Sequence, residues 1–363
     1  MTGAAMSFSI ANDEFPVLSI PDKQFWGENY VLTFFDPSSG VGSLLSMGRW
    51  VIQPRLWRNM SYLSLPNDRV LLSKNYGKSA DPKIPDSGVF RMEILQPGKK
   101  LRYIYDGPID ERTMQDLNTG GYRIGKNDLM QFELEFNSDL PIWDMHSGLA
   151  SHSNTEKSEA NFNSPEGHIE QNGFISGTIR YGAGEVFTIK NAPATRDHSR
   201  GVRNFTNYKG HIWTNGMFPS GRSFHCFTMK TQGFDGIAAG RTGVLIDGQI
   251  HDGSLSPATE GWLNSPEQLF QPFTLTIDTK DVGELKIKAV RMQDSVPLAL
   301  TMPADHYWSV PTQSRLKQMT WVNEQKVTWQ WGDEIGYGHL ERGNSTISAT
   351  DAAWLRNFSK DYA

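Results

Sequence analysis

The stretch Leu129-Met130-Gln131-Phe132-Glu133-Leu134-Glu135-Phe136 decides the fold class. From Met130 onward its apolar residues stand at every second position, with Gln or Glu between them. A period of two puts one set of side chains on a core-facing surface and the other in water, the signature of a half-buried β-strand. The same alternation recurs at Phe90/Met92/Ile94, Leu101/Tyr103/Tyr105, Phe273/Leu275/Ile277, Leu285/Ile287/Ala289 and Val327/Trp329/Trp331. Each run is short, and Gly, Pro, Asn or Asp punctuation usually stands nearby. That pattern reads as an all-β sandwich or barrel. No repeated strand–helix alternation is present, which argues against a doubly wound α/β fold.

Composition agrees. The chain has 363 residues, enough for two domains of ordinary size, with 38% apolar and 21% charged residues. Aromatic residues reach 11%, with 11 tryptophans, and suit both strands and the lining of apolar pockets. There are 34 glycines, against about 25 expected at a usual frequency of roughly 7%. The net charge of −5 argues against a nucleic-acid partner, which needs a basic face. No apolar run reaches the length of a membrane span, and the N-terminal residues lack a basic region followed by an apolar one. The expected location is cytoplasmic. With Cys226 as the lone cysteine, an intramolecular disulfide and a cysteine-rich zinc site are excluded. The sequons at Asn59, Asn204, Asn344 and Asn357 read as chance matches.

Helices are expected only at Asp110 to Leu117 and Thr350 to Ser359. The polar stretch His146 to Glu170 reads as a long surface loop. An echo links Phe35-Asp36-Pro37-Ser38-Ser39-Gly40 to Met217-Phe218-Pro219-Ser220-Gly221. It suggests a duplication, with domains at 1–192 and 193–363.

Several motifs fail on their chemistry. Gly120-Gly121-Tyr122-Arg123-Ile124-Gly125-Lys126-Asn127 approaches a phosphate-binding loop, but Asn127 replaces the Mg²⁺-binding hydroxyl and a strand follows where a helix is required. No Gly-x-Ser-x-Gly elbow or dinucleotide fingerprint is present. The histidines show no metal-ligand spacing, so no metal and no cofactor are expected. His225 and Cys226 are adjacent, and adjacent strand residues point to opposite faces, so Cys226 reads as a core thiol.

Arg196-Asp197-His198-Ser199-Arg200-Gly201-Val202-Arg203-Asn204 is unlike the rest of the chain. Such density of charge is either a solvated loop or a buried network. In the second case Asp197 can fix the tautomer of His198, and arginines can fix the carboxylate.

This segment resembles the Arg-Asp-His-Ser-x-Gly hallmark of a two-lobed, lipocalin-like superfamily that includes carotenoid 1,2-hydratases and kievitone-hydratase-like proteins; fungal decalin-forming pericyclases share the fold. Trp26-Gly27-Glu28-Asn29-Tyr30, His168 to Lys190 and Gly336-Tyr337-Gly338-His339-Leu340-Glu341 extend the similarity over both halves. The resemblance implies two tandem antiparallel lipocalin-like β-barrel or sandwich domains with a cavity at their interface. The implied partner is a small hydrophobic molecule, such as an isoprenoid, steroid or prenylated aromatic, and a homodimer is compatible with it. The implied chemistry is hydration, dehydration or isomerisation by a positioned acid without a cofactor, with pericyclase or carrier roles as alternatives. By the resemblance, His198, Asp197, Arg196 and His225 are the catalytic candidates. Arg200, Trp26, Glu28, Asn29, Trp57, Asp144, Trp213, Phe227, Tyr337 and Glu341 are the substrate-binding candidates. Arg200 stands where the family has Trp, Asn204 where it often has Asp, and His225-Cys226-Phe227 lacks the Tyr-x-Asp acid of the carotenoid hydratases.

Overall fold

The computed structural model describes residues 13–23, 26–50, 55–119, 126–145, 163–203, 208–231, 237, 239–257, 259–263, 268–300 and 320–344. The chain divides into two compact units: Met1–Pro66 with Leu71–Glu111 and Lys126–Asn204, and Asn67–Val70 with Arg112–Gly125 and Phe205–Ala363. Each unit contains one closed β-barrel.

Barrel 1 uses β1 (Trp26–Asp36), β2 (Val41–Trp50), β3 (Leu56–Leu65), β4 (Arg69–Lys78), β6 (Lys100–Thr113), β7 (Lys126–Asn137), β9 (Asn163–Tyr181) and β10 (Glu185–Arg203). They follow one another in that order around the ring, and β10 closes it against β1. β5 (Phe90–Gln96) pairs with β6, and the two-residue β8 (Trp143–Asp144) pairs with β9. Barrel 2 is the closed ring β11 (Tyr208–Met217), β12 (Ser223–Thr231), β13 (Ala239–Ile246), β14 (Gln249–Leu255), β15 (Phe273–Thr279), β16 (Gly283–Leu300), β17 (Thr320–Trp331) and β18 (Glu334–Asn344). Closure leaves no sheet edge in either ring.

The all-β expectation holds, and every alternating run named above lies in a strand. Its apolar set faces a barrel interior. Met130, Phe132, Leu134 and Phe136 of β7 pack with Tyr30, Leu32 and Phe34 of β1 and with Tyr103 and Tyr105 of β6. Phe273, Leu275, Val327, Trp329 and Trp331 do the same in barrel 2, joined by Cys226, while His225 lies on the other face. Each such side chain contributes roughly 1.5–3 kcal/mol by leaving water. Gly177 of β9 lies opposite Leu134 with φ +153°, and a Cβ there would stand 2.1 Å from the Glu133 carbonyl oxygen.

Both barrels open with a hairpin whose turn carries a glycine in the left-handed region. Gly40 (φ +73°) ends the turn between β1 and β2, and Gly221 (φ +88°) ends the turn between β11 and β12. Their amides donate to Asp36 O at 2.9 Å and Phe218 O at 3.0 Å. The echoed segments thus occupy equivalent places. Positions 192 and 193 fall inside β10, and the chain leaves the first unit after Asn204.

Two local expectations differ from the structure. Asp110 and Glu111 belong to β6, paired with Asn127 and Lys126, so the cross-strand ladder prevails over their helical pattern. The helix, α1 (Met114–Thr119), starts after Thr113, whose Oγ1 accepts from Asp116 N at 2.9 Å as an N-cap. The polar stretch expected to be a loop as far as Glu170 is strand β9 from Asn163 onward, because long-range pairing with β10 satisfies its backbone. The rest of that stretch, most of the phosphate-loop-like segment and the helix expected at Thr350 to Ser359 lie outside the described residues.

Candidate functional site

The charged segment Arg196–Arg200 lies wholly within β10 and alternates between two environments. Arg196, His198 and Arg200 share the inward face with Ala192 and Ala194 of the barrel 1 core. Asp197 and Ser199 point the other way.

The inward face carries two linked charge clusters. Nε2 of His198 lies 3.0 Å from Oε1 of Glu28. The His198 ring stacks on Tyr30, its cross-strand partner, with centroids 4.0 Å apart. Arg49 Nε donates to Glu28 Oε2 at 2.8 Å, and its guanidinium lies 4.7 Å from the centre of the Trp57 ring. Burial pushes the Glu28 carboxyl up, but His198 and Arg49 outweigh it and hold the group below the ordinary carboxylate range. The second cluster centres on Arg196, which pairs through both terminal nitrogens with Glu14. Its Nε donates to Gln171 Oε1 at 2.8 Å. Tyr30 Oη donates to the Glu14 carbonyl oxygen at 3.0 Å and joins the two clusters. Arg200 pairs with Asp13 at 2.6 Å. Glu28, Arg49, Glu14, Arg196 and His198 are all at least nine-tenths buried.

On the outward face Asp197 pairs with His168, while its Oδ1 accepts from Ser199 at 3.0 Å. His168 also lies 3.4 Å from Glu170. The ligand atoms of His168, Glu170 and Asp197 all lie within 4.8 Å of one another, a spacing that can hold a metal ion. Burial lowers the His168 imidazole, but Asp197 and Glu170 reverse this and raise it to about 9. Its proton therefore supplies the positive charge the two carboxylates need. Asn29, on the same face of β1 as Ser199 is of β10, packs over Gly48, where a Cβ would meet its Oδ1 at 2.1 Å. Trp26 donates from Nε1 to Glu166 at 2.9 Å. Asp144 sits on β8 opposite Ile169.

A different constellation stands on the outward face of barrel 2. Tyr208 Oη bonds to Nδ1 of His211, and Nε2 of His211 bonds to Glu341 Oε1. Glu341 hydrogen-bonds to Glu324, its direct cross-strand partner. Glu324 Oε2 lies 2.6 Å from His339 Nε2. The result is one continuous chain of five side chains. Burial and the neighbouring Glu341 charge push the Glu324 carboxyl well above the carboxylate range. Burial also opposes ionisation of Glu341, but His211 and the bond from Glu324 outweigh it and hold it at about 2. The pair therefore shares a single proton, carried by Glu324. Burial lowers His339 to about 4, so its ring is neutral. Trp213, cross-strand partner of both Glu341 and Phe227, lies with its ring centre 5.6 Å from that of His339. Phe227 stacks on His211 at 6.1 Å. His225 and Tyr337 project from the same face, opposite Asn215 and Met217.

Apart from Trp26 and Asp144, placed above, the residues expected from sequence thus fall on three strand faces. Glu28, His198, Arg196, Arg200 and Trp57 line the inside of barrel 1. Asp197 and Asn29 lie on its outside. Glu341, Trp213, Phe227, His225 and Tyr337 lie on the outside of barrel 2. Glu14, Arg49, Tyr208, Glu324 and His211 carry no signal of their own in the sequence, and His168 and His339 stand out there only as members of the segments that extend the resemblance. Strand parity could have separated Asp197 from His198. No local signal could have paired Glu324 with Glu341, because that depends on the register between β17 and β18.

Among the described residues no helix is long and apolar enough to cross a membrane. No curated protein matches the chain. Among solved structures, CghA aligns with a TM-score of 0.54 at 9% identity, covering 92% of this chain and 94% of that one. An AttH-like protein of Nitrosomonas europaea gives 0.54 at 15% identity, with 95% and 99% covered. Kievitone hydratase of Nectria haematococca gives 0.53 at 11% identity, with 96% of each chain covered. The two-barrel, lipocalin-like fold is therefore shared along almost the full length of these proteins, as the resemblance implied. Residues 12–345 match the model of one family, and the chain belongs to it: the domain of unknown function DUF7064.

Proposed function

We propose that the protein is an enzyme acting on a small hydrophobic molecule, such as an isoprenoid, steroid or prenylated aromatic, by acid–base chemistry without a cofactor. The reaction class is hydration, dehydration or isomerisation. The observation that carries this reading is the proton-sharing pair Glu324/Glu341 on barrel 2, extended by His211 and His339. A carboxyl group kept protonated near neutral pH is a general acid, and an ionised carboxylate beside it is the matching base. In a hydration, Glu324 delivers its proton to an alkene carbon. Glu341 accepts a proton from the water that attacks the resulting cation, and transfer between the two carboxyl groups restores the starting state. The faces of Trp213 and Phe227 can stabilise the developing positive charge. The name of the structurally similar kievitone hydratase agrees with this class. The Glu28–His198 cluster is assigned to positioning within barrel 1.

The test is native mass spectrometry of the purified protein with extraction of any bound molecule. Incubation in ¹⁸O-labelled and deuterated water then follows, using that molecule or a panel of prenylated and steroidal alkenes. Label incorporation that disappears in Glu324→Gln supports the proposal. Turnover that survives Glu324→Gln but not His198→Ala would move the chemistry to barrel 1. A bound molecule that never changes would make the protein a carrier.

A further inference from the structure

The two barrels can be compared strand by strand, because each closes in the same sequential order. In the last strand of each, an arginine stands at the equivalent place: Arg196 opposite Leu32 of β1, and Arg342 opposite Ile212 of β11. In the penultimate strand of each, a glutamine serves it. Gln171 Oε1 accepts from Arg196 at 2.8 Å, and Gln325 Oε1 accepts from Arg342 at 2.6 Å. Both glutamine amides are anchored alike. Gln171 Nε2 donates to Gly98 O at 2.9 Å, just before β6, and to Leu140 O at 2.7 Å, just after β7. Gln325 Nε2 donates to Leu269 O at 2.9 Å, before β15, and to Asp294 O at 3.0 Å, late in β16.

The cradles differ in which nitrogens are used: Gln171 takes Nε of Arg196 and Glu14 both terminal nitrogens, whereas Gln325 takes Nη2 of Arg342. In barrel 1 the Arg196 guanidinium holds the Glu14 carboxylate, which also accepts from Gly98 N at 3.0 Å. In barrel 2, among the described residues, no carboxylate pairs with Arg342. Its Nη2 reaches Leu269 O at 2.7 Å, and Nη1 makes only long contacts to Gly261 O at 3.4 Å and Gln268 O at 3.5 Å. Its Nε–H is buried with no acceptor among the described residues. The side chain is 1% exposed. A guanidinium taken from water without a counter-charge is costly, and burial alone draws this one down to about 10. Glu14 reaches its place on the segment that precedes β1, whereas only Asn204-Phe205-Thr206-Asn207, with no acidic residue, joins β10 to β11.

We propose that Arg342, with Gln325, forms a receptor at the end of barrel 2 for the carboxylate of an organic acid, which would accept from the open Nε–H and from Nη1 and supply the counter-charge that Glu14 supplies to Arg196 in barrel 1. The apolar part of the acid would face Phe273, whose ring centre lies 5.5 Å from the guanidinium carbon. This site is on the interior side of β18, opposite to the Glu324/Glu341 pair, and the proposal does not depend on that reading.

The probes are benzoate and decanoate against benzyl alcohol and decan-1-ol, which keep the apolar part and remove the charge. Binding is measured by calorimetry on the full chain, together with the ¹⁵N–¹H resonance of Arg342 Nε. One carboxylate should bind with one-to-one stoichiometry at least about 10-fold more tightly than its alcohol, a difference of about 1.4 kcal/mol. The Nε resonance should shift on binding, and Arg342→Gln should abolish the preference. Glu324→Gln should leave it intact, which separates this test from that of the proposed reaction. Equal binding of acid and alcohol, no binding of either acid, or a preference that survives Arg342→Gln would overturn the proposal. If Arg342→Gln does not fold, an Nε resonance that stays unmoved while decanoate binds overturns it.

Discussion

Nε2 of His198 lies 3.0 Å from Oε1 of Glu28, a residue 170 positions away, while the adjacent Asp197 is paired with His168 on the other face of β10. The sequence neighbours belong to different networks because a strand sends successive side chains to opposite sides. Glu28→Gln should therefore leave the buried Arg49 guanidinium without its carboxylate and destabilise the protein by about 3–5 kcal/mol in denaturant titration. It should also move the His198 ring resonances followed by NMR, because the Nε2 contact to Glu28 is altered, more than Asp197→Asn does on the other face.

The His168–Asp197 pair makes a pH-dependent contribution on the outward face of barrel 1. The imidazole is raised from 6.5 to about 9 in the folded protein. A group with a raised folded pKa contributes fully below its unfolded value and loses that contribution as pH rises through the folded one. Stability should thus fall between about pH 6.5 and pH 9, by at most about 3 kcal/mol. Equilibrium unfolding across this range should show the loss in the native chain and a flatter profile in Asp197→Asn.

For Glu324 the folded carboxyl is also raised, so its contribution is present below the ordinary carboxylate value and disappears as pH rises through the folded pKa. Glu324→Gln removes the cost of ionising a buried acid. Its melting temperature should match or exceed that of the native chain at alkaline pH. Turnover of the substrate identified by extraction should fall about 10²-fold or more, with the alkaline limb of the pH profile removed. A variant that is both more stable and inactive is hard to explain as a folding defect.

Core packing carries its own expectations. Trp329 is buried in barrel 2, meets Phe224 and Phe273 edge-on, and donates from Nε1 to Asn215 O at 2.9 Å. Trp329→Ala should lower stability by about 3–5 kcal/mol. Gly177→Ala should be comparably damaging, because its Cβ would meet backbone atoms that cannot move aside. Thermal unfolding of both variants checks these values.

Period-two alternation by itself determined the all-β class, since a strand exposes and buries side chains at a period that local sequence records. The Gly40 and Gly221 echo likewise marked the opening hairpin of each barrel, because a left-handed turn position selects glycine locally. The charged segment at Arg196–Arg200 was recognisable as exceptional, and the resemblance it carries led to the two-barrel fold. Only the tertiary structure decided which charges meet. Glu14 with Arg196, Glu28 with His198, and Glu324 with Glu341 are brought together by strand order and register around closed rings, and those are long-range properties. The same closure turned a polar stretch before Glu170 into strand β9.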